Sequence, residues 1–192
     1  MTEHPSKPLR SQPARDRILA EARNVFAKHG YDRTTIRAVA AAAQVNPAMV
    51  IRYYGCKEDL FAAAASFDLQ LPDLSHAPRE RAGELLVAHF LSRWEDDKGG
   101  GDLAVLLRAA ATHETARTTM MQIFDKQLTK AVAQLCGVAN ARARASLVAS
   151  QMLGLAYTRY VLGFAGTKAL PREMIVKTVG QTVQAYLNAP LK

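Results

Sequence analysis

The chain has 192 residues, 49% of them hydrophobic and 22% charged, which is ample apolar material for a buried core and excludes disorder throughout. Alanine clusters and a shortage of β-branched runs point to helices and no sheet. The formal charge of +8 is concentrated at the front, where residues 1–57 hold ten Lys and Arg against four Asp and Glu; this suits a polyanion, since each neutralised phosphate releases counterions, and a solvated basic face without a partner accounts for it equally well.

Residues 1–13 hold three prolines and little apolar material, which predicts a flexible tail whose Lys7 and Arg10 either touch DNA or serve solubility. A helix pattern begins at Arg15, with Ile18, Leu19, Ala22, Val25 and Phe26 on one face, and Gly30 stands where a left-handed C-terminal cap is expected. Thr34 or Thr35 then caps a short helix that turns Ile36, Val39, Ala40 and Ala43 inward, and Gln44 and Val45 form a tight connection. The third helix has the clearest start in the chain. Asn46 accepts from first-turn amides, Pro47 follows where its missing N–H is not needed, and the helix ends near Gly55. A fourth helix opens at Lys57, places Glu58 and Asp59 at the positive end of its dipole, and runs through Leu60, Phe61, Ala64 and Phe67 toward Pro72.

Beyond Pro72 the pattern is a succession of amphipathic segments over 78–95, 102–111, 114–135, 139–163 and 171–187, with loops at Gly99, Gly100 and Gly101, at Gly137 and at Gly166. The expected architecture is therefore all-α. A tail (1–13) is followed by an N-terminal three-helix domain (14–61) and a C-terminal helical bundle (62–192). Cys56 and Cys136 form no CxxC, and no signal peptide pattern precedes them, which suits a reducing cytoplasmic location. The apolar stretch from Leu153 to Gly166 is interrupted by Arg159 and too short for a bilayer, so no membrane is expected as a partner.

Two short helices joined by a tight turn, preceded by a packing helix and set in the basic end, are what a helix-turn-helix requires, with the second helix in the major groove of double-stranded DNA. On that helix Val50 and Tyr54 fall four apart and face the core with Val45, which leaves Ala48, Met49, Ile51, Arg52 and Tyr53 for the groove and its edges, with Asn46 and Pro47 at its mouth. Arg52 either bonds a guanine bidentately, discriminating by roughly 1–3 kcal/mol, or clamps a phosphate. Ala48 and Met49 either meet thymine methyls or are passive. Thr35, Arg37, Tyr53 and Lys57 are phosphate candidates, Lys57 having the alternative of only solubilising its turn.

The run from Gly30 to Leu60, with Gly30-Tyr31, Thr34-Thr35, Ala40, Val45, Val50, Tyr54, Lys57-Glu58 and Leu60 in place, resembles the helix-turn-helix signature of the TetR/AcrR family. Three residues depart from it. Gln44 stands where glycine is usual, Ile51 replaces the usual tyrosine of the recognition helix, and Cys56 replaces a serine-like cap, so that the fourth helix is expected to start less firmly. The resemblance implies a transcriptional regulator, released as a repressor from a palindromic operator by an unknown small-molecule effector. It also implies a ligand domain of about six helices and a homodimer formed through the last two. Ala149, Gly154, Ala156 and Gly163 suit close helix approach, and Ile175, Val179 and Val183 form a stripe that either pairs with a second copy or packs internally.

Candidates to line an effector pocket are Phe90, Trp94, Leu107, His113, Met121, Phe124, Tyr157 and Phe164, although such residues at helical spacing are more often plain core than a ligand box. Arg108, His113 and Arg159 are polar groups to orient a ligand, or else face water or a carboxylate. The histidines show no metal-ligand spacing, and there is no phosphate loop, nucleophile elbow or paired-carboxylate motif; Glu95, Asp96 and Asp97 read as a solvated turn. No metal, cofactor or catalytic residue is expected, the alternative being a helical-bundle carrier or enzyme for an apolar metabolite with a vestigial DNA-binding domain.

Overall fold

The computed structural model describes residues 12–65, 68–73, 78–95, 100–137 and 139–190, and among them it contains helices and no strand. The expected tail falls on residues 1–11, outside the described residues, together with Gln12 and Pro13, which are already helical. The chain divides into two compact units, Met1–Ala65 and Ser66–Lys192.

The first unit contains α1 (Gln12–Arg33), α2 (Ile36–Ala42), α3 (Pro47–Tyr54) and α4 (Lys57–Ala64). The helix α1 begins three residues before the predicted start because Pro13 sits in its first turn, where no amide is required. It buries Ile18, Ala22 and Phe26, and Phe26 meets Phe61 edge-on at 5.0 Å, as Tyr31 does. Gly30 corrects one expectation. Its φ of 75° and ψ of 175° are not those of a left-handed cap but of an extended positive-φ conformation essentially restricted to glycine, and the last turn of α1 is set off there by a kink. The two threonines that follow divide the work: Thr34 is buried and its hydroxyl donates to Gly30 O at 2.7 Å, while Thr35 caps α2 by accepting from Ala38 N at 3.1 Å.

Side chains of α1 also finish the other helices. Arg17 Nε donates to Ala43 O at the end of α2 (3.0 Å) and Arg23 Nε to Ala64 O at the end of α4 (3.2 Å), each cation lying at the negative end of a helix dipole. The Tyr54 hydroxyl at the end of α3 donates to Arg15 O at 2.8 Å. Part of the basic balance at the front is therefore structural.

The second unit is entered through a non-helical stretch. The helix α4 stops at Ala64 instead of running toward Pro72, and Phe67 lies outside the described residues. Backbone groups after the break find side chains as partners: Leu69 N donates to Gln127 Oε1 (2.7 Å), Gln70 N to Asp68 Oδ1 (2.9 Å), and Gln70 adopts a φ of 48°. A 3-10 turn (Arg79–Arg81) leads into α5 (Ala82–Glu95), followed by α6 (Gly100–Ala110), α7 (Glu114–Ile123) and α8 (Thr129–Cys136), the last two joined by a π turn over Phe124–Leu128. Then come α9 (Ala141–Ala156), extended by a π turn over Tyr157–Val161, α10 (Ala165–Ala169) and α11 (Arg172–Asn188). Gly100, Gly101 and Gly166 thus lie in helices, where loops were predicted.

The helix α11 packs along α5, and the approach is set by two glycines: a Cβ on Gly83 would lie 2.2 Å from Gly180 O. Gln184 fixes the same crossing, accepting from Gly83 N and donating to Arg79 O, each at 2.9 Å. Ile175, Val183 and Leu187 are buried in one core with Leu86, Val87, Leu91 and Val148. Of the two readings of the α11 stripe, internal packing is the one realised, because the face that carries Ile175 and Val183 is the one that meets α5; Ala156 is buried as well.

Candidate nucleic-acid interface and ligand cavity

The turn between α2 and α3 is held by Val45 N donating to Ala40 O (2.9 Å), with Gln44 left-handed at a φ of 54°, so the glycine position of the resemblance keeps its conformation without its glycine. Asn46 then accepts from Ala48 N at 2.9 Å and Pro47 opens α3. Val50 and Tyr54 are buried and Val45 is half-buried, fixing the rotation of the helix. The opposite face presents Ala48, Ile51 and Arg52, all exposed, with Pro47, Met49 and Tyr53 half-buried beside them. The Arg52 guanidinium lies 5.9 Å from the centre of the Tyr53 ring, which steadies it without using up its donors. Thr35 and Arg37 are exposed at the start of α2.

Lys57 stands differently from the other cationic candidates. Its Nζ donates to Asp32 O at 3.2 Å and lies 4.4 Å from the centre of the Tyr31 ring, while Tyr31 donates to Glu58 Oε1 at 2.8 Å. Burial, then the Glu58 bond, pushes the Tyr31 phenol up to about 12, and the same bond holds the Glu58 carboxyl below its usual range. The α4 start is also firmer than expected. Cys56 Sγ accepts from Asp59 N (3.4 Å), and Asp59 Oδ2 accepts both from Cys56 N (3.5 Å) and from its thiol (3.0 Å), a reciprocal capping box in which the carboxylate makes up for the weak sulfur acceptor and raises the thiol pKa.

The second unit contains a partly open cavity of about 110 Å³. Its wall is apolar throughout, contributed by Leu86, Phe90 and Trp94 of α5, by Met120, Ile123 and Phe124, by Val148 and Met152 of α9, and by Leu69 and Leu71 of the non-helical stretch. Among the predicted effector residues it brings together Phe90, Trp94 and Phe124. Leu107, Arg108, His113, Met121, Tyr157 and Phe164 do not line it; Met121 follows Met120 by one residue and so points out of the bundle, and it, Tyr157 and Phe164 are exposed. On α5 the lining residues that aromatic character did not flag, Leu86, His89 and Arg93, share with Phe90 and Trp94 the helical period of one face.

Behind the cavity Trp94 stacks on Tyr160 at 5.0 Å, and its buried Nε1 has no acceptor. Tyr160 donates to Glu95 Oε1 (3.1 Å), and Arg172 pairs with Glu95 Oε2 (2.5 Å), so Glu95 is bonded across helices where a solvated turn was expected; Asp96 and Asp97 lie outside the described residues. Burial first, and the Glu95 charge next, push the Tyr160 phenol up to about 12. Arg159 Nη1 donates to the carbonyls of Thr167, Lys168 and Leu170 and its Nη2 lies 3.8 Å from Glu95 Oε1, the carboxylate alternative, so it does not line the cavity. Among the described residues no cluster of His, Cys, Asp or Glu is arranged to hold a metal, and no helix is long and apolar enough to cross a membrane.

A capped reading helix in a basic unit, with a separate helical unit containing an apolar cavity, defines the class of helix-turn-helix regulators. Comparison with known proteins places the chain within it. The profile described as bacterial regulatory proteins, tetR family, matches residues 18–64, and that of the tetracyclin repressor-like C-terminal domain matches residues 80–187. The chain belongs to the tetR family of bacterial regulatory proteins. An uncharacterized HTH-type transcriptional regulator of Mycobacterium bovis is 36% identical over 64 residues, 33% of this chain and 32% of that protein, so the chain matches about a third of that relative's length. The HTH-type dual regulator CecR of Shigella flexneri is 31% identical over 85 residues, 44% of this chain and 38% of its own length. A TetR-family regulator from Streptomyces coelicolor is similar over 95% of this chain and 98% of its own, at 27% identity and a TM-score of 0.60. The multidrug binding protein EbrR, solved with imidazole, shares the fold over the full length of both chains at 17% identity and a TM-score of 0.73.

Proposed function

We propose that the protein is a cytoplasmic homodimeric repressor that binds a palindromic operator through α3 and leaves it when a small molecule occupies the cavity of the second unit. The observation that carries the DNA half is the division of faces on α3: Val50 and Tyr54 lock one side into the unit, while Ala48, Ile51 and Arg52 stand exposed behind an Asn46 cap. Two such helices related by a two-fold axis read an inverted repeat, so that protein symmetry mirrors operator symmetry. Thr35 and Arg37 contact phosphate, and Arg52 reads a base.

The effector half rests on the cavity and on its lining by Leu69 and Leu71, which lie five and seven residues beyond the end of α4. A molecule that occupies the cavity and displaces these two leucines acts on the chain that leads to the reading helices. It releases DNA only if it prefers the released state, and taking the population from 1:99 to 99:1 needs roughly 5.5 kcal/mol of preference. Proteins of the same fold solved with imidazole (EbrR) and with triclosan (SmeT) support a small-molecule effector.

Selection of bound genomic fragments with purified protein tests the reading. The expected product is a short inverted repeat whose affinity falls steeply with salt. Fragments recovered at random, with no salt dependence, would overturn it and favour a carrier or enzyme for an apolar metabolite.

A further inference from the structure

We infer that the cavity between α5, α7 and α9 takes an uncharged, single-ring aromatic molecule. That this molecule is also the effector rests on the function proposed above; that the cavity binds it does not.

Size and wall chemistry select this class together. A dry cavity of about 150 Å³ lined by Leu, Ile and Phe takes benzene or xenon, and this one measures about 110 Å³ with Met120 and Met152 in its wall, unbranched side chains that re-pack readily around a guest. Water is a poor occupant, because it needs two to four polar partners and the wall offers none. Rings of Phe90, Trp94 and Phe124 give an aromatic guest edge and face contacts that an aliphatic one lacks.

Charge is disfavoured because the cavity presents an apolar surface throughout. His89 Nε2 is bonded to Leu69 O at 2.8 Å and Arg93 Nη2 donates to Asp68 O at 3.3 Å, so both hold the stretch that closes the cavity and present carbon to its interior. A carboxylate entering there is either unpaired in an apolar site or has to break the closure.

Trp94 is the chain's single tryptophan, so its emission reports this cavity alone. Titration of the full-length protein with iodobenzene, whose heavy atom quenches indole, is expected to give saturable quenching that benzene reverses by competition. The charged analogue 4-iodobenzoate is expected to bind at least roughly tenfold more weakly, the equivalent of about 1.4 kcal/mol. Ala149→Phe projects a ring from the cavity wall and is expected to abolish the saturable phase with the helical circular dichroism unchanged. Should that variant fail to fold, the comparison of the neutral and charged probes on the wild type decides the matter. Linear quenching, or equal quenching by both probes, overturns the inference. Operator affinity followed with benzene in the same buffer separates the two claims: quenching without any change in operator affinity overturns the effector role and leaves the cavity chemistry standing. Operator binding that is normal and unquenched Trp94 overturns the ligand class while the regulator reading stands.

Discussion

Arg52 and Lys57 carry the same charge five residues apart, but their surroundings separate them. Arg52 is exposed on α3 with only the Tyr53 ring beside it, whereas Lys57 is already bonded to Asp32 O and seated on Tyr31. Arg52→Ala is therefore expected to weaken operator binding by roughly 1–3 kcal/mol and relax preference at one base position, read by gel shift across operator variants. Lys57→Ala is expected instead to lower the melting temperature and leave the slope of affinity against salt unchanged. A flattened slope for Lys57→Ala with unaltered melting would reassign that lysine to phosphate. Tyr31 links the same cluster to pH. Its folded pKa lies near 12, above the ordinary 10, so folding favours the neutral phenol, and the stability this gives is fully present below pH 10 and is lost as pH rises toward 12. Tyr160 behaves likewise in the second unit, with burial as its main cause. Alkaline unfolding followed by circular dichroism should show the loss between pH 10 and 12, and Tyr31→Phe should remove the part due to the first unit.

At the scale of elements, what local chemistry decides was legible and what distant partners decide was not. Asn46 followed by Pro47 specifies the start of α3 within one turn, and the apolar periods between Pro78 and Leu187 place α5 to α9 and α11 within a few residues. The non-helical stretch beyond α4 is held by Gln127, more than fifty residues away, and by His89 and Arg93, none of which the local pattern near Ala64 reveals. An apolar stripe on α11 likewise says that a face is buried but not against what, and only the Gly83–Gly180 crossing identifies α5 as its partner. The cavity was legible at Phe90, Trp94 and Phe124 and not at Leu69, Leu71 or Met152, since a leucine in a wall and a leucine in a filled core have the same sequence signature. The crossing itself gives a sharp expectation. Gly83→Ala sets a Cβ against backbone, where no rotamer change relieves it, and should destabilise the second unit by about 3 kcal/mol in a denaturant titration. Gly154→Ala, in an open helical position, should in the isolated chain be neutral or stabilising by up to about 1 kcal/mol.

For the whole molecule the open question is what covers the surface that α9 and α11 leave after their buried faces are used. Leu147 and Met174 are 38% and 53% exposed, and Leu162, Phe164 and Leu170 are exposed between α9 and α11. Large apolar groups on neighbouring helices suit a protein partner, and the palindromic operator we propose would call for a second copy of the same chain. Because the stripe of Ile175 and Val183 is committed to the core, a dimer formed through these helices has to use this other face. The double substitution Leu147→Glu with Met174→Glu places four carboxylates in such an interface and none in the core. Light scattering is then expected to report a monomer, with helical circular dichroism retained and affinity for the full palindrome reduced to that of a single half-site. A variant that remains dimeric and binds the palindrome normally would place the two-fold axis on some other surface, and the spacing of the recovered half-sites would then constrain where that surface lies.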